Sequence, residues 1–157
     1  MFKKLIIIII STNFLLQCGF TPMYSSKNGN INNVSINEIS FIGDKIINNG
    51  IEANLIRYKN SKNEKPFNIK IDTKFSKETL TKDKTAKVTD YKLSSVTIFE
   101  ISSQDQFIKR IIISEEKNMN NMSDKFEEQK YERSIKQNFA SSISSKIITE
   151  LSLLNDN

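Results

Sequence analysis

From residue 67 to residue 75 the chain alternates without a break. Phe67, Ile69, Ile71, Thr73 and Phe75 take the odd positions, and Asn68, Lys70, Asp72 and Lys74 the even ones. Successive side chains of a β-strand point to opposite faces, so this segment has one face to bury and one to leave wet. Such a strand belongs to a sheet that is covered on one side only. The rest of the chain must supply partner strands and a layer to cover the apolar face.

The flanking segments supply both. Residues 34–42 read as a strand, with Val34 and Ile36 on one face, ended by Gly43-Asp44. Asp44 is placed to cap a helix over 45–58, where Ile47, Ile51, Leu55 and Tyr58 recur at helical spacing. Gly50 lies inside it and weakens it by about 1 kcal/mol relative to Ala. A polar loop over 60–65 leads to Pro66. After the alternating strand, charged and small polar residues over 81–85 mark a turn or a ragged strand end. Residues 87–100 resume as a strand carrying Val88, Tyr91, Leu93, Val96 and Ile98. A hairpin-like connection over 102–106 leads to a strand over 107–116. There the run Ile111-Ile112-Ile113 is apolar on both faces, which predicts cover on both sides at mid-strand.

A loop over 118–123 precedes Asp124, three residues before Glu127, a reciprocal helix cap. From there Tyr131, Ile135, Phe139, Ile143, Ile147, Leu151 and Leu154 form a stripe that runs to the end of the chain. This predicts an amphipathic helix of about thirty residues, on the order of 45 Å long. Core packing on a sheet is its ordinary role; a coiled coil or a membrane-surface helix is the alternative. Glu132, Lys136, Ser141, Ser145 and Glu150 give the opposite face mixed polarity, which argues against the membrane surface. The predicted fold is α+β, in the order β-α-β-β-β-α. It is a four-stranded mixed sheet with two α-helices packed on one face, in a single domain over 34–157. The first helix links strands that can lie parallel, and the next three strands can form a meander.

The segment before residue 34 has a different character. Lys3 and Lys4 precede an apolar stretch over 5–16 that includes five consecutive isoleucines. At about twelve residues it falls short of the roughly twenty needed to span a bilayer. A short apolar run behind two lysines reads as a signal peptide over 1–17. Leu15-Leu16-Gln17-Cys18-Gly19 follows and has the form of a lipobox. In that chemistry the Cys18 sulfur is the nucleophile that takes the lipid. Gln17 stands where a small residue is usual, and an uncleaved anchor with an incidental cysteine is the alternative. Two or three acyl chains, at about 0.8 kcal/mol per buried CH₂, give a lasting anchor. Residues 18–33, with Pro22, Ser25, Ser26, Asn28, Gly29 and Asn30, read as a lipidated N-terminus and tether.

Composition excludes several classes of function. The chain has no His and one Cys, which leaves no zinc or soft-metal ligand set and no internal disulfide. No cofactor is expected. Net charge is +5 for the whole chain, of which Lys3 and Lys4 belong to the export segment. Lysines outnumber arginines and are scattered, whereas nucleic-acid binding calls for clustered Arg with aromatics. An enzyme would need a positioned base or nucleophile. The candidates are the adjacent pairs Glu115-Glu116 and Glu127-Glu128, and adjacent side chains diverge on strands and helices alike.

Cys18-Gly19-Phe20-Thr21-Pro22-Met23-Tyr24 resembles the Cys-Gly-Phe-x-Pro-Leu-Tyr start of the LPS-assembly lipoprotein family, LptE. The predicted element order and the closing helix from Lys130-Tyr131 through Ala140 to Leu154 also resemble that family. The resemblance implies a non-enzymatic outer-membrane lipoprotein, lipid-anchored on the periplasmic side. Its implied partners are the LptD β-barrel, which it plugs and helps to assemble, and lipopolysaccharide. A barrel lumen is polar, so the wet strand face with Lys70 and Lys74 is the candidate contact with lumen or lipopolysaccharide. A solvated sheet face is the plain alternative for those lysines. For the whole chain the alternative is a periplasm-facing lipoprotein that binds another lipid or envelope protein.

Overall fold

The computed structural model describes residues 34–59 and 66–155. The expected signal peptide, Cys18 with its tether, and the loop over 60–65 lie outside the described residues.

Four strands form one mixed sheet in sequence order: β1 (Ile36–Gly43), β2 (Phe67–Lys82), β3 (Val88–Ser103) and β4 (Gln106–Asn120). β1 runs parallel to β2, and the other two pairings are antiparallel. Parallel neighbours need a crossover, and here it is α1 (Lys45–Leu55) with a 3₁₀ turn over Ile56–Tyr58. The second helix, α2 (Lys125–Asn155), follows β4. The α+β order expected from the sequence is the observed one.

The turn into α1 follows from Gly43 and Asp44. Gly43 has φ +98°, and a Cβ there would fall on the Thr73 carbonyl, so the chain leaves β1 against β2 at a point that only glycine tolerates. Asp44 then caps α1, its side chain accepting the Ile46 and Ile47 N–H groups at 3.0 Å each.

The odd-numbered face of the sheet is buried under both helices. Phe67, Ile69, Ile71 and Thr73 of β2 meet Leu93, Ser95, Thr97, Phe99 and Ile101 of β3 there, with Ile113 and Met119 of β4. α1 covers them with Ile47, Ile51 and Leu55, and α2 with Ile135, Phe139, Ile143, Ile147 and Leu151. The helices also pack on each other. A Cβ on Gly50 would lie 2.6 Å from the Ala140 Cβ, so the glycine that weakens α1 locally is what lets α2 approach. Asn54 Nδ2 donates to Ser144 Oγ across the same contact at 3.4 Å.

The structure corrects the sequence reading in three places. Ile112 is 62% exposed, because nothing among the described residues covers the even face of β4; the expected two-sided cover is absent. Tyr131 is 41% exposed, so the buried stripe of α2 begins at Ile135. A repeat of four residues slips about 40° per step against 3.6 residues per turn, so its end rotates off the core. Glu132 and Lys136 are not on a solvated far face; their side chains are 22% and 11% exposed. Element ends also moved. The 45–58 helix tightens to 3₁₀ geometry after Leu55, and β4 runs on to Asn120 through part of the expected loop.

Those two residues belong to a chain of charges that ties α2 to β2 and to the cap of α1. Lys136 Nζ lies 2.9 Å from Asp44 and 3.6 Å from Glu132. Lys77 Nζ on β2 lies 3.1 Å from Glu132 and 2.9 Å from Glu128, and Lys125 lies 2.8 Å from Glu128. Both inner lysines rest on aromatic rings, Lys136 on Phe75 and Lys77 on Tyr91. Hydrogen bonds from Lys125 and Lys77, and one from the Met122 N–H, hold the Glu128 carboxyl down at about 2 against partial burial that opposes them. Burial pushes the Asp44 carboxyl up, but the Ile47 N–H, Lys136 and the Ile46 N–H outweigh it and leave it lowered. Burial pushes the Lys77 ammonium down, but Glu128 and Glu132 outweigh it and leave it raised.

Candidate functional site

Among the described residues no element covers the even-numbered face of the sheet, which makes it the candidate site. Strand pairing lays its side chains out in rows. One row reads Ser40, Lys70, Glu100, Arg110 across β1 to β4, and the next reads Ile42, Asp72, Ile98, Ile112. Beyond them, Lys74, Val96 and Ser114 share a row.

The first row is an alternating ladder of charge. Glu100 lies 3.9 Å from both Lys70 Nζ and Arg110 Nε, an anion shared by two cations. All three side chains are at least 40% exposed, so water screens the pairs and they contribute little to stability. Strand register is what sets the three charges in a line. The next two rows set an apolar band beside that line, interrupted on β2 by Asp72 and Lys74. Ile42, Val96 and Ile112 are 53%, 40% and 62% exposed.

A groove of about 270 Å³ opens at the β1-start end of this face, between Glu38, Ser40, Asn68, Lys70, Glu100, Ser102 and Phe107. Phe107 is 67% exposed and forms its aromatic wall. A smaller hollow of about 80 Å³ lies between Ile42, Lys70, Asp72, Ile98, Glu100 and Arg110. Lys70 borders both.

The two lysines singled out from the sequence therefore share one face of β2, four residues or roughly 13 Å apart. They are not equivalent. Lys70 sits in the ladder with Glu100, whereas Lys74 has no ion pair among the described residues. The face as a whole is mixed: Glu38, Asp72, Glu100 and Glu116 stand among Lys70, Lys74, Lys92 and Arg110. Lys92 meets Glu116 at 2.8 Å. Arg110, Ile112 and Phe107 were missed as members of the site. For Arg110 and Ile112 the signal lay in the parity of β4, because pairing brings Arg110 beside Glu100 and Ile112 beside Ile98, whereas odd-numbered Phe107 reaches this face only through the register shift between Ile101 and Ser102.

The adjacent carboxylates diverge. Glu115 turns under α2 to accept from Ser142 Oγ at 2.7 Å and Lys146 at 2.6 Å, while Glu116 turns to the even face and Lys92. Glu127 lies 3.6 Å from exposed Lys130, and Glu128 is held in the charge chain. No group of His, Cys, Asp and Glu among the described residues could hold a metal ion. No described helix is long and apolar enough to cross a membrane.

Against known proteins, the likeness is one of fold. Rare lipoprotein B from Shewanella oneidensis superposes with a TM-score of 0.55 at 14% identity, over 74% of this chain and 98% of that one. A minor lipoprotein from Acinetobacter baumannii gives 0.54 at 12% identity, over 74% and 94%. Lipoprotein B from Nitrosomonas europaea gives 0.53 at 10% identity, over 78% and 86%. No protein-family model matches the sequence, and no curated protein matches it. The chain thus has the two-layer fold of solved bacterial lipoproteins, nearly end to end in each of them.

Proposed function

We propose that this protein is a non-enzymatic outer-membrane lipoprotein, anchored through Cys18 on the periplasmic side. Its job is to partner the LptD β-barrel, plugging its lumen and aiding its assembly for lipopolysaccharide insertion. The observation that carries this reading is the open sheet face. Among the described residues, two helices seal one side of the sheet and nothing covers the other, which carries a line of charges and a narrow apolar band. A barrel lumen is polar and lined by alternate residues of its strands, so a mixed face of this kind is suited to it. The anchor is supported by the lipobox and the Phe20-Thr21-Pro22-Met23-Tyr24 sequence behind Cys18, together with the shared fold of solved lipoproteins. Lys70 and Lys74 are the proposed contacts with the lumen or with lipopolysaccharide phosphates, by charge-assisted hydrogen bonding.

Purification from detergent-solubilised membranes, with mass spectrometry of what accompanies the protein, tests the proposal. Recovery of a large outer-membrane barrel at near-equal amount is the expected result. Depletion that leaves barrel assembly and lipopolysaccharide display intact would remove the reading. The groove beside Phe107 favours a second reading, a lipoprotein that holds another lipid or envelope protein there. It predicts that Phe107→Ser abolishes that binding in a chain from which no barrel is recovered.

A further inference from the structure

The free edge of β4 carries a sequence that is complementary to itself. β4 ends the sheet, and among the described residues no strand lies on its outer side. It is 15 residues long and has neither glycine nor proline. An edge of that kind offers a row of N–H and C=O groups to an incoming strand. Its centre reads Lys109-Arg110-Ile111-Ile112-Ile113-Ser114-Glu115-Glu116: two cations, three isoleucines, a serine and two anions. Reversed and laid against itself, such a strand sets its basic end beside its acidic end.

We propose that β4 pairs antiparallel with β4 of a second copy about a two-fold axis through Ile112, giving a continuous eight-stranded sheet. Residues directly opposite in an antiparallel pair share a face, so centring on Ile112 keeps both helix layers on one side. In that register Ile112 meets Ile112 of the second copy on the even face. Ile111 meets Ile113 beneath the helices. Lys109 stands opposite Glu115, and Arg110 stands opposite Ser114 with Glu116 on the diagonal.

Each charge keeps the partner it already has. Lys109 lies 2.7 Å from Glu150, and Glu115 lies 2.6 Å from Lys146. The inner row becomes Glu150, Lys109, then Glu115 and Lys146 of the second copy, alternating in sign throughout. The pairing also supplies a neighbour to Ile112, one of the most exposed apolar side chains of the sheet. A second copy is favoured over a foreign strand because the charge order needs nothing but its own reverse. Pairing centred on Ser114 would set Arg110 against Asn118 and lose the match.

The inference concerns the edge and does not rest on the barrel reading of the sheet face. Its test uses the full chain in detergent. Ile112→Cys should oxidise to a disulfide mapped by mass spectrometry between position 112 of both copies. Ser114→Cys should link roughly tenfold less or worse, since its copies lie about 13 Å apart along the strands, beyond disulfide reach. Arg110→Glu and Glu116→Arg, both on the exposed face, should each dimerise about tenfold more weakly than the parent by light scattering, and an equimolar mixture of the two should recover dimerisation. Circular dichroism confirms that each variant is folded. Monomeric parent protein with no 112–112 linkage overturns the proposal. So does equal linkage in the Ser114→Cys variant, a charge-variant mixture that dimerises no better than either variant alone, or an Ile112→Cys variant that links only to another polypeptide.

Discussion

Glu128→Gln tests the charge chain that joins α2 to the sheet. Glu128 is 6% exposed as a residue, yet the Lys125 that covers it is itself 64% exposed in its side chain. Its carboxyl is held at about 2 against an ordinary 4.5. At about 1.4 kcal/mol per pKa unit the full shift is worth roughly 3 kcal/mol. Solvent at Lys125 screens part of that, which leaves about 1–2 kcal/mol at neutral pH. For a domain of this size the loss lowers Tm by about 4–8 °C. The sign is set by the depressed pKa. The unfolded chain takes up the proton first, so the contribution is complete above about pH 5 and falls away toward pH 2. Thermal unfolding followed by circular dichroism from pH 7 to pH 2 should therefore show two curves that start apart and converge in acid. Asp44, also lowered, adds an acid-labile part common to both proteins. A gap between them that is the same at pH 2 as at pH 7, or no gap at pH 7, would refute the electrostatic account of the latch.

Other outcomes follow from the same structure. Lys77 has the opposite sign, so Lys77→Met should cost stability at pH 7 and less as pH rises past the ordinary lysine value of 10.5, measured in the same melts. Gly43→Ala puts a Cβ onto the Thr73 carbonyl at φ +98° and should destabilise by about 2 kcal/mol or more in urea titration. Ile143→Ala removes a fully buried side chain and should cost about 2–5 kcal/mol, whereas Ile112→Ala in dilute protein should stay within about 0.5 kcal/mol. Lys70→Glu with Lys74→Glu should weaken barrel or lipopolysaccharide binding in a pull-down while leaving Tm within a few degrees; unchanged binding removes those two residues from the contact. The mature N-terminus should weigh as an acylated Cys18, and an unmodified Cys18 still joined to Gln17 would defeat the anchor.

What the sequence determined by itself is what short-range periodicity encodes. The alternation from Phe67 to Phe75 fixed which face of β2 is buried. The spacing of Ile135, Phe139, Ile143, Ile147 and Leu151 fixed the helix that covers it, and Asp44 behind Gly43 fixed where α1 begins. Each is a pattern within one element, set by the geometry of a single strand, helix or turn. What only the tertiary structure decided depends on which elements become neighbours. Ile112 looked doubly buried in its own strand and is exposed, because cover for its face must come from another element. Glu132 and Lys136 looked solvated by helical position, but Lys77 and Asp44 reach them from β2 and from the cap of α1. Gly50 read as a local weakness and is the point where α2 approaches. The candidate site divides the same way. Lys70 and Lys74 were legible from parity, whereas the Lys70–Glu100–Arg110 line needed three strands in register. Sequence periodicity says which way a side chain points; only the packed sheet says what it meets there.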